Sequence, residues 1–102
     1  MMDNLKGIGF SDELINKLIE KETVVPITYI NDNIDNTRSI LAMIIDYGIQ
    51  DVNEYILLYT GLFYLDYKKI SEVLSKVNME EIKNKVKLDE DYLANFIFDN
   101  IN

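Results

Sequence analysis

The chain has 102 residues, with 18 acidic and 10 basic side chains, a formal net charge of −8, and neither cysteine nor histidine. That inventory excludes disulfides, thiolate zinc sites and nucleophilic systems of the Ser-His-Asp or Cys-His kind. The negative balance sets the chain against phosphate backbones and anionic lipid headgroups at long range.

The length fits one domain, 1–102, able to bury roughly 65% of the surface its unfolded chain exposes. Hydrophobic content of 48% is enough to drive a fold rather than disorder. No apolar run reaches the ~20 residues that span a bilayer. The longest, 55–59 and 62–65, is interrupted by Thr60-Gly61. No basic stretch followed by an apolar one marks a signal peptide, so the expected compartment is the cytoplasm, with no membrane partner. The bias toward Ile, Asn, Lys, Asp and Tyr fits an AT-rich genome, as in a low-GC bacterium or its phage.

In chain order, Gly7-Ile8-Gly9 reads as the end of a short N-terminal turn; a lone G-x-G is no phosphate loop. Ser11 caps a helix over 12–21, whose apolar face is Leu14, Ile15, Leu18 and Ile19, with Phe10 and Ile15 placed for a hydrophobic staple. Residues 23–30 are β-branched and aromatic and hold the single proline, Pro26. A lone strand has no partner here, so the segment is expected to be an extended or single-turn connector that plugs the core.

A second helix is expected from Asn33 or Ile34 to Asp46, on Ile34, Ile40, Leu41, Ile44 and Ile45. Gly48 would close it in the left-handed region, with Ile49 against Ile44. Asp51 and Glu54 form a D-x-x-E cap for a third helix over 52–60, which Gly61 would close in the same way, Leu62 reaching Leu57. Asp66 caps a fourth, with Ile70, Val73, Leu74 and Val77 on one face. Asn78 and Glu81 cap a fifth over 79–86. Asp89-Glu90-Asp91 opens a sixth, with Tyr92, Leu93, Phe96, Ile97 and Ile101. The expected fold is all-α, a compact array of about five to six short helices.

One junction recurs. Gly9-Phe10-Ser11-Asp12, Gly48-Ile49-Gln50-Asp51 and Asn78-Met79-Glu80-Glu81 share the order left-handed residue, apolar residue, cap, acid. Leu14, Leu18, Ile19, Val24, Val25 and Ile27 align with Val52, Ile56, Leu57, Leu62, Phe63 and Leu65. A spacing of this size marks helical-repeat arrays. Tyr47-Gly48-Ile49 through Tyr59-Thr60-Gly61-Leu62-Phe63-Tyr64-Leu65-Asp66, and Val25-Pro26-Ile27 before it, resemble the helical repeats of the mitochondrial transcription termination factor family, over about residues 7–88. The resemblance implies paired helices joined by a short 3₁₀ turn. It also implies nucleic-acid binding along a basic concave face. This chain departs in having Thr60-Gly61 where the proline would stand, and in its acidity.

For chemistry the inventory is poor. Asp12/Glu13, Glu80/Glu81 and Asp89/Asp91 fall in first helical turns, where acids are favoured without any catalytic role. Asp46, Asp51 and Glu54 gather at one turn. Asn31-Asp32-Asn33-Ile34-Asp35-Asn36 brushes against a calcium-loop pattern, but Ala42 occupies the position of the bidentate Glu. No catalytic residue, cofactor or metal is expected, and the chain is read as no enzyme. Lys68, Lys69, Lys76, Lys83, Lys85 and Lys87 form a basic stretch, interleaved with Glu72, Glu80 and Glu81.

The tyrosines Tyr47, Tyr55, Tyr59, Tyr64 and Tyr67 crowd the third helix and its exit. Tyrosine pairs a large apolar body with a polar tip, which suits either an interface or the rim of a small core. The expected function is a non-enzymatic protein-interaction module for an unidentified protein partner. Its contact residues would be Tyr55, Tyr59, Phe63 and Tyr64, with Asp51 and Glu54 at the rim. The alternatives are an acidic mimic of nucleic acid that occupies a basic DNA-binding groove, and a divergent nucleic-acid-binding repeat. Direct nucleic-acid binding runs against the charge, and a homodimer stays open.

Overall fold

The structure, a computed structural model, describes every residue except Met1, Glu22 and Val24. Among the described residues the chain is all-helical: α1 Asp3–Gly7, α2 Asp12–Glu20, α3 Ile27–Asp32, α4 Ile34–Asp46, α5 Val52–Leu58, a 3₁₀ turn Thr60–Tyr64, α6 Tyr67–Ser75, α7 Met79–Leu88 and α8 Asp91–Asn100. The two helices beyond the expected count are α1 and α3. The first is the N-terminal turn drawn out to five residues. The second lies within the segment expected to be a connector.

That segment divides at Pro26. Thr23 is irregular and Val25 sits at a bend, buried in the core; Val24 lies outside the described residues. Pro26 then stands at the N-cap of α3 in an extended conformation. There its missing N–H costs nothing, because the first amides of a helix have no intrahelical acceptor. Burial of Ile30 overrides the β-preference of the segment.

The caps follow the sequence closely. The Ser11 hydroxyl accepts from the Leu14 amide at 3.1 Å, and the Asp51 carboxylate from the Glu54 amide at 3.1 Å. Gly48, at φ +91°, closes α4 in a Schellman motif: Ile49 N–H donates to the Ile44 carbonyl and Gly48 N–H to that of Ile45. Gly9, at φ +107°, closes α1 identically, with Phe10 N–H on Leu5 and Gly9 N–H on Lys6. The cap of the next helix falls two residues after Gly9, at Ser11, but three after Gly48, at Asp51 rather than Gln50, so the first two junctions of the sequence pattern share only the glycine closure.

The third does not. Asn78 is extended, at φ −62° and ψ 127°, and acts as the N-cap of α7, accepting from the Glu80 amide at 2.9 Å. Gly61 departs as well. It lies inside the 3₁₀ turn rather than in the left-handed region, and α5 ends at Leu58, two residues earlier than expected. Burial of Leu62 and Phe63 draws the chain onward in a tight turn, with Leu62 N–H on the Tyr59 carbonyl, instead of reversing it.

Helix α4 is the hub, packing on α3, the 3₁₀ turn and α6; α8 covers α6 and α7. Ile30, Ile40, Ile44, Leu62, Phe63, Ile70, Leu93 and Ile97 fill the centre without exposure. A radius of gyration of 13.2 Å is that of a folded chain of this length. Ile19 and Ile45 were expected on buried faces, yet both are more than half exposed. Each stands about 100° around its helix from a buried neighbour, Leu18 or Ile44, at the flank of the apolar stripe. No described helix is long and apolar enough to cross a membrane.

Candidate functional site

The six expected contact residues fall into different surroundings. Asp51 and Glu54 are exposed at the start of α5. Phe63 lies in the core without exposure, and Tyr55 is only 3% exposed. Tyr59 is half-buried, one turn beyond Tyr55, with ring centroids 4.8 Å apart. Tyr64 alone of the aromatic four is open to solvent, at 61%.

Tyr55 and Tyr59 point at the start of α8. The Tyr55 hydroxyl donates to the Glu90 carbonyl at 2.7 Å and accepts from the Ala94 amide at 3.0 Å. The Tyr59 hydroxyl donates to Asp91 Oδ1 at 2.6 Å. Beside them the Gln50 amide donates to Glu90 Oε2 at 2.7 Å. Burial, chiefly, pushes the Tyr55 hydroxyl well above its ordinary range. For Tyr59, burial and then the bond to the Asp91 carboxylate push the pKa up to about 12. Both hydroxyls therefore stay protonated donors at neutral pH. This pair fastens α5 to α8.

Tyr64 belongs to another neighbourhood. It meets Tyr29 of α3 edge to face, centroids 4.8 Å apart and planes at 80°. The two rings, with Asn33, Asn36, Leu65 and Asp66, line an open cleft of about 280 Å³. Asn36 builds its back wall. Its Nδ2 donates to the Leu65 carbonyl at 2.9 Å, and its Oδ1 accepts from the Tyr67 amide at 2.8 Å. One side chain thus clamps the backbone on both sides of Asp66. Asn33 Nδ2 donates to the Tyr29 carbonyl at 2.9 Å and closes the end of α3.

Tyr29 carries no functional reading in the sequence, and Asn33 and Asn36 enter it only through the calcium-loop pattern and the start of the second helix. No single-helix spacing joins the three: Tyr29 stands in α3, Asn36 in α4, and Asn33, at φ −99° and ψ 53°, in the break between them. The Asn-rich run is likewise spent on structure rather than arranged as an ion loop. Asn31 Oδ1 accepts from the Leu5 amide, and the Asn31 carbonyl accepts from Asn4 Nδ2. Among the described residues no group of three acidic side chains converges as metal ligands would.

A slightly larger opening, about 340 Å³, lies between Gly48, Gln50, Val86, Lys87 and Glu90. It has no aromatic wall, and its carboxylate already holds the Gln50 amide. On α7 the lysines divide: Lys83 and Lys87 lie about 40° apart, while Lys85 stands about 160° from each. Lys85 Nζ sits 5.1 Å from the Tyr92 ring centroid.

No family model, curated protein or solved structure matches this chain. The Tyr29–Tyr64 cleft is the place where exposed aromatic surface, an acidic group and an ordered backbone meet.

Proposed function

We propose that the chain is a non-enzymatic protein-binding module whose contact is centred on Tyr64 and Tyr29. The observation that carries this reading is the exposure of Tyr64, 61% open to solvent yet braced edge-on by Tyr29 at 4.8 Å. A large side chain held in place in the free protein loses little rotamer freedom on binding, and tyrosine is enriched at interface hot spots for that reason. Tyr59 and the rim acids Asp51 and Glu54 then have supporting roles, the first by fixing α8. Tyr55 and Phe63 act from inside, as core.

The test is a photo-crosslinking amino acid placed at position 64, in the full chain expressed in its own cells. Position 19, also apolar and exposed, serves as the control. A discrete protein adduct at 64 that survives nuclease treatment and is absent at 19 supports the module. Equal adducts at both positions, or adducts only to nucleic acid, sink it.

A further inference from the structure

We propose that the Tyr29–Tyr64 cleft takes an arginine side chain from a basic segment of the partner; this rests on the binding-module reading above. Consider what each lining group still has to offer. The amides of Asn33 and Asn36 are engaged with Tyr29, Leu65 and Tyr67. What remains is the two aromatic rings with their phenol hydroxyls, the Asn33 Oδ1 and the carboxylate of Asp66. An edge-to-face pair leaves both faces of the ring that presents its edge, and one face of the other, unstacked. Asp66 Oδ1 accepts from the Lys68 amide at 3.0 Å, which leaves Oδ2 for an incoming donor. No cationic side chain among the described residues stands within 4.0 Å of Asp66.

The surrounding charge has the same sign. The whole chain carries 18 acids against 10 bases, although Lys68 and Lys69 follow Asp66 closely in the chain; between Lys21 and Lys68 the one basic residue is Arg38. Arg38 is committed to Asp35 at 3.0 Å. Lys68 and Lys69 follow the cleft in sequence, but neither lines it. An incoming cation therefore meets attraction from Asp66 and from the wider field, while an incoming carboxylate meets repulsion.

Arginine suits the arrangement better than lysine. Its planar guanidinium stacks on a tyrosine face and forks toward a carboxylate, whereas the compact ammonium of lysine does neither and is more strongly hydrated. A purely apolar side chain would cover the rings but leave the Asp66 charge facing it without a donor.

The experiment titrates the full chain with blocked tripeptides, Gly-X-Gly with X as arginine, lysine, leucine or glutamate, and follows the ring resonances of Tyr29 and Tyr64. The arginine peptide should shift both rings saturably, and lysine more weakly. Tyr64→Ala should weaken the arginine peptide about two- to five-fold, the range for an exposed cation on an aromatic face. Asp66→Asn keeps the N-cap of α6, since Asn caps as well as Asp, and should weaken binding about two-fold while flattening its salt dependence. Arginine binding unchanged in Asp66→Asn overturns the proposal. So does a leucine peptide that shifts the two rings more than arginine does, although the module would then stand with an apolar ligand. A protein adduct at position 64 without any arginine-induced shift overturns the arginine alone; no adduct and no shift remove both.

Discussion

The Tyr55 hydroxyl and the Ala94 amide, thirty-nine positions apart in the chain, form a buried hydrogen bond at 3.0 Å. The amide stands at the end of the first turn of α8, four residues after the N-cap Glu90, whose carbonyl is its i−4 acceptor. The same hydroxyl donates onward to the Glu90 carbonyl, so one side chain satisfies two backbone groups at the start of that helix.

Tyr55→Phe keeps the ring and removes that hydroxyl. The hydroxyl's bonds to the Ala94 amide and the Glu90 carbonyl are then lost, which should cost about 0.5–1.5 kcal/mol. Urea unfolding would measure the loss. Hydrogen exchange should show the Ala94 amide deprotected ahead of the amides of α4. Unchanged stability and unchanged exchange would mean the bond contributes nothing.

Two neighbouring aromatic positions should respond oppositely to alanine. Phe63 is wholly buried, so Phe63→Ala should cost about 3–5 kcal/mol through lost contact and the cavity left behind. Tyr64→Ala should cost no more than about 0.5–1.5 kcal/mol, the worth of its edge-to-face contact with Tyr29. Thermal melts of the two variants decide the matter. Similar losses at both would show Tyr64 to be structural and would leave no spare aromatic for binding.

The glycines should separate in the same way. Gly48 holds φ +91°, so Gly48→Ala forces an L-side chain into the left-handed region at about 1–2 kcal/mol. Gly61 has no positive φ, and a Cβ there would stand 3.5 Å from the Phe98 ring, an ordinary contact. Gly61→Ala should therefore be close to neutral. A chemical-denaturation pair checks both, and a larger loss at Gly61 would contradict the 3₁₀ assignment of that turn.

Alkaline pH should loosen the α5–α8 junction. Tyr59 is raised in the folded protein from 10.0 to about 12, and the folded state therefore favours the protonated phenol. Its contribution is complete below the unfolded pKa and is lost as pH climbs through the window from 10 toward 12. Stability against pH should fall across that window, and Tyr59→Phe should fall less steeply. Parallel curves for the two proteins would show that the hydroxyl is not linked to folding.

Local chemistry made much of this molecule readable in advance. Ser11, Asp51, Asp66 and Asn78 cap helices because each offers an oxygen to a nearby amide in its own first turn. Gly48 ends α4 because the left-handed conformation at that point suits glycine. Those interactions span five residues or fewer, so the sequence alone determined the all-helical class and most helix boundaries. Apolar spacing likewise determined the inward faces of α6 and α8.

What lay beyond a few residues was decided by packing. Whether 23–30 is connector or helix turned on Ile30 finding the core, with the Thr37 hydroxyl donating to its carbonyl at 2.7 Å across the break between α3 and α4. Gly61 was kept out of the left-handed region by the burial of Leu62 and Phe63. The tyrosines, adjacent in sequence, parted because α5 turns two of them toward α8 while the 3₁₀ turn carries Tyr64 to α3. Side-chain type set what each tyrosine is able to do. Only the long-range contacts of α3, α4 and α8, which no local spacing encodes, determined which hydroxyls are tied down and which ring is left facing water.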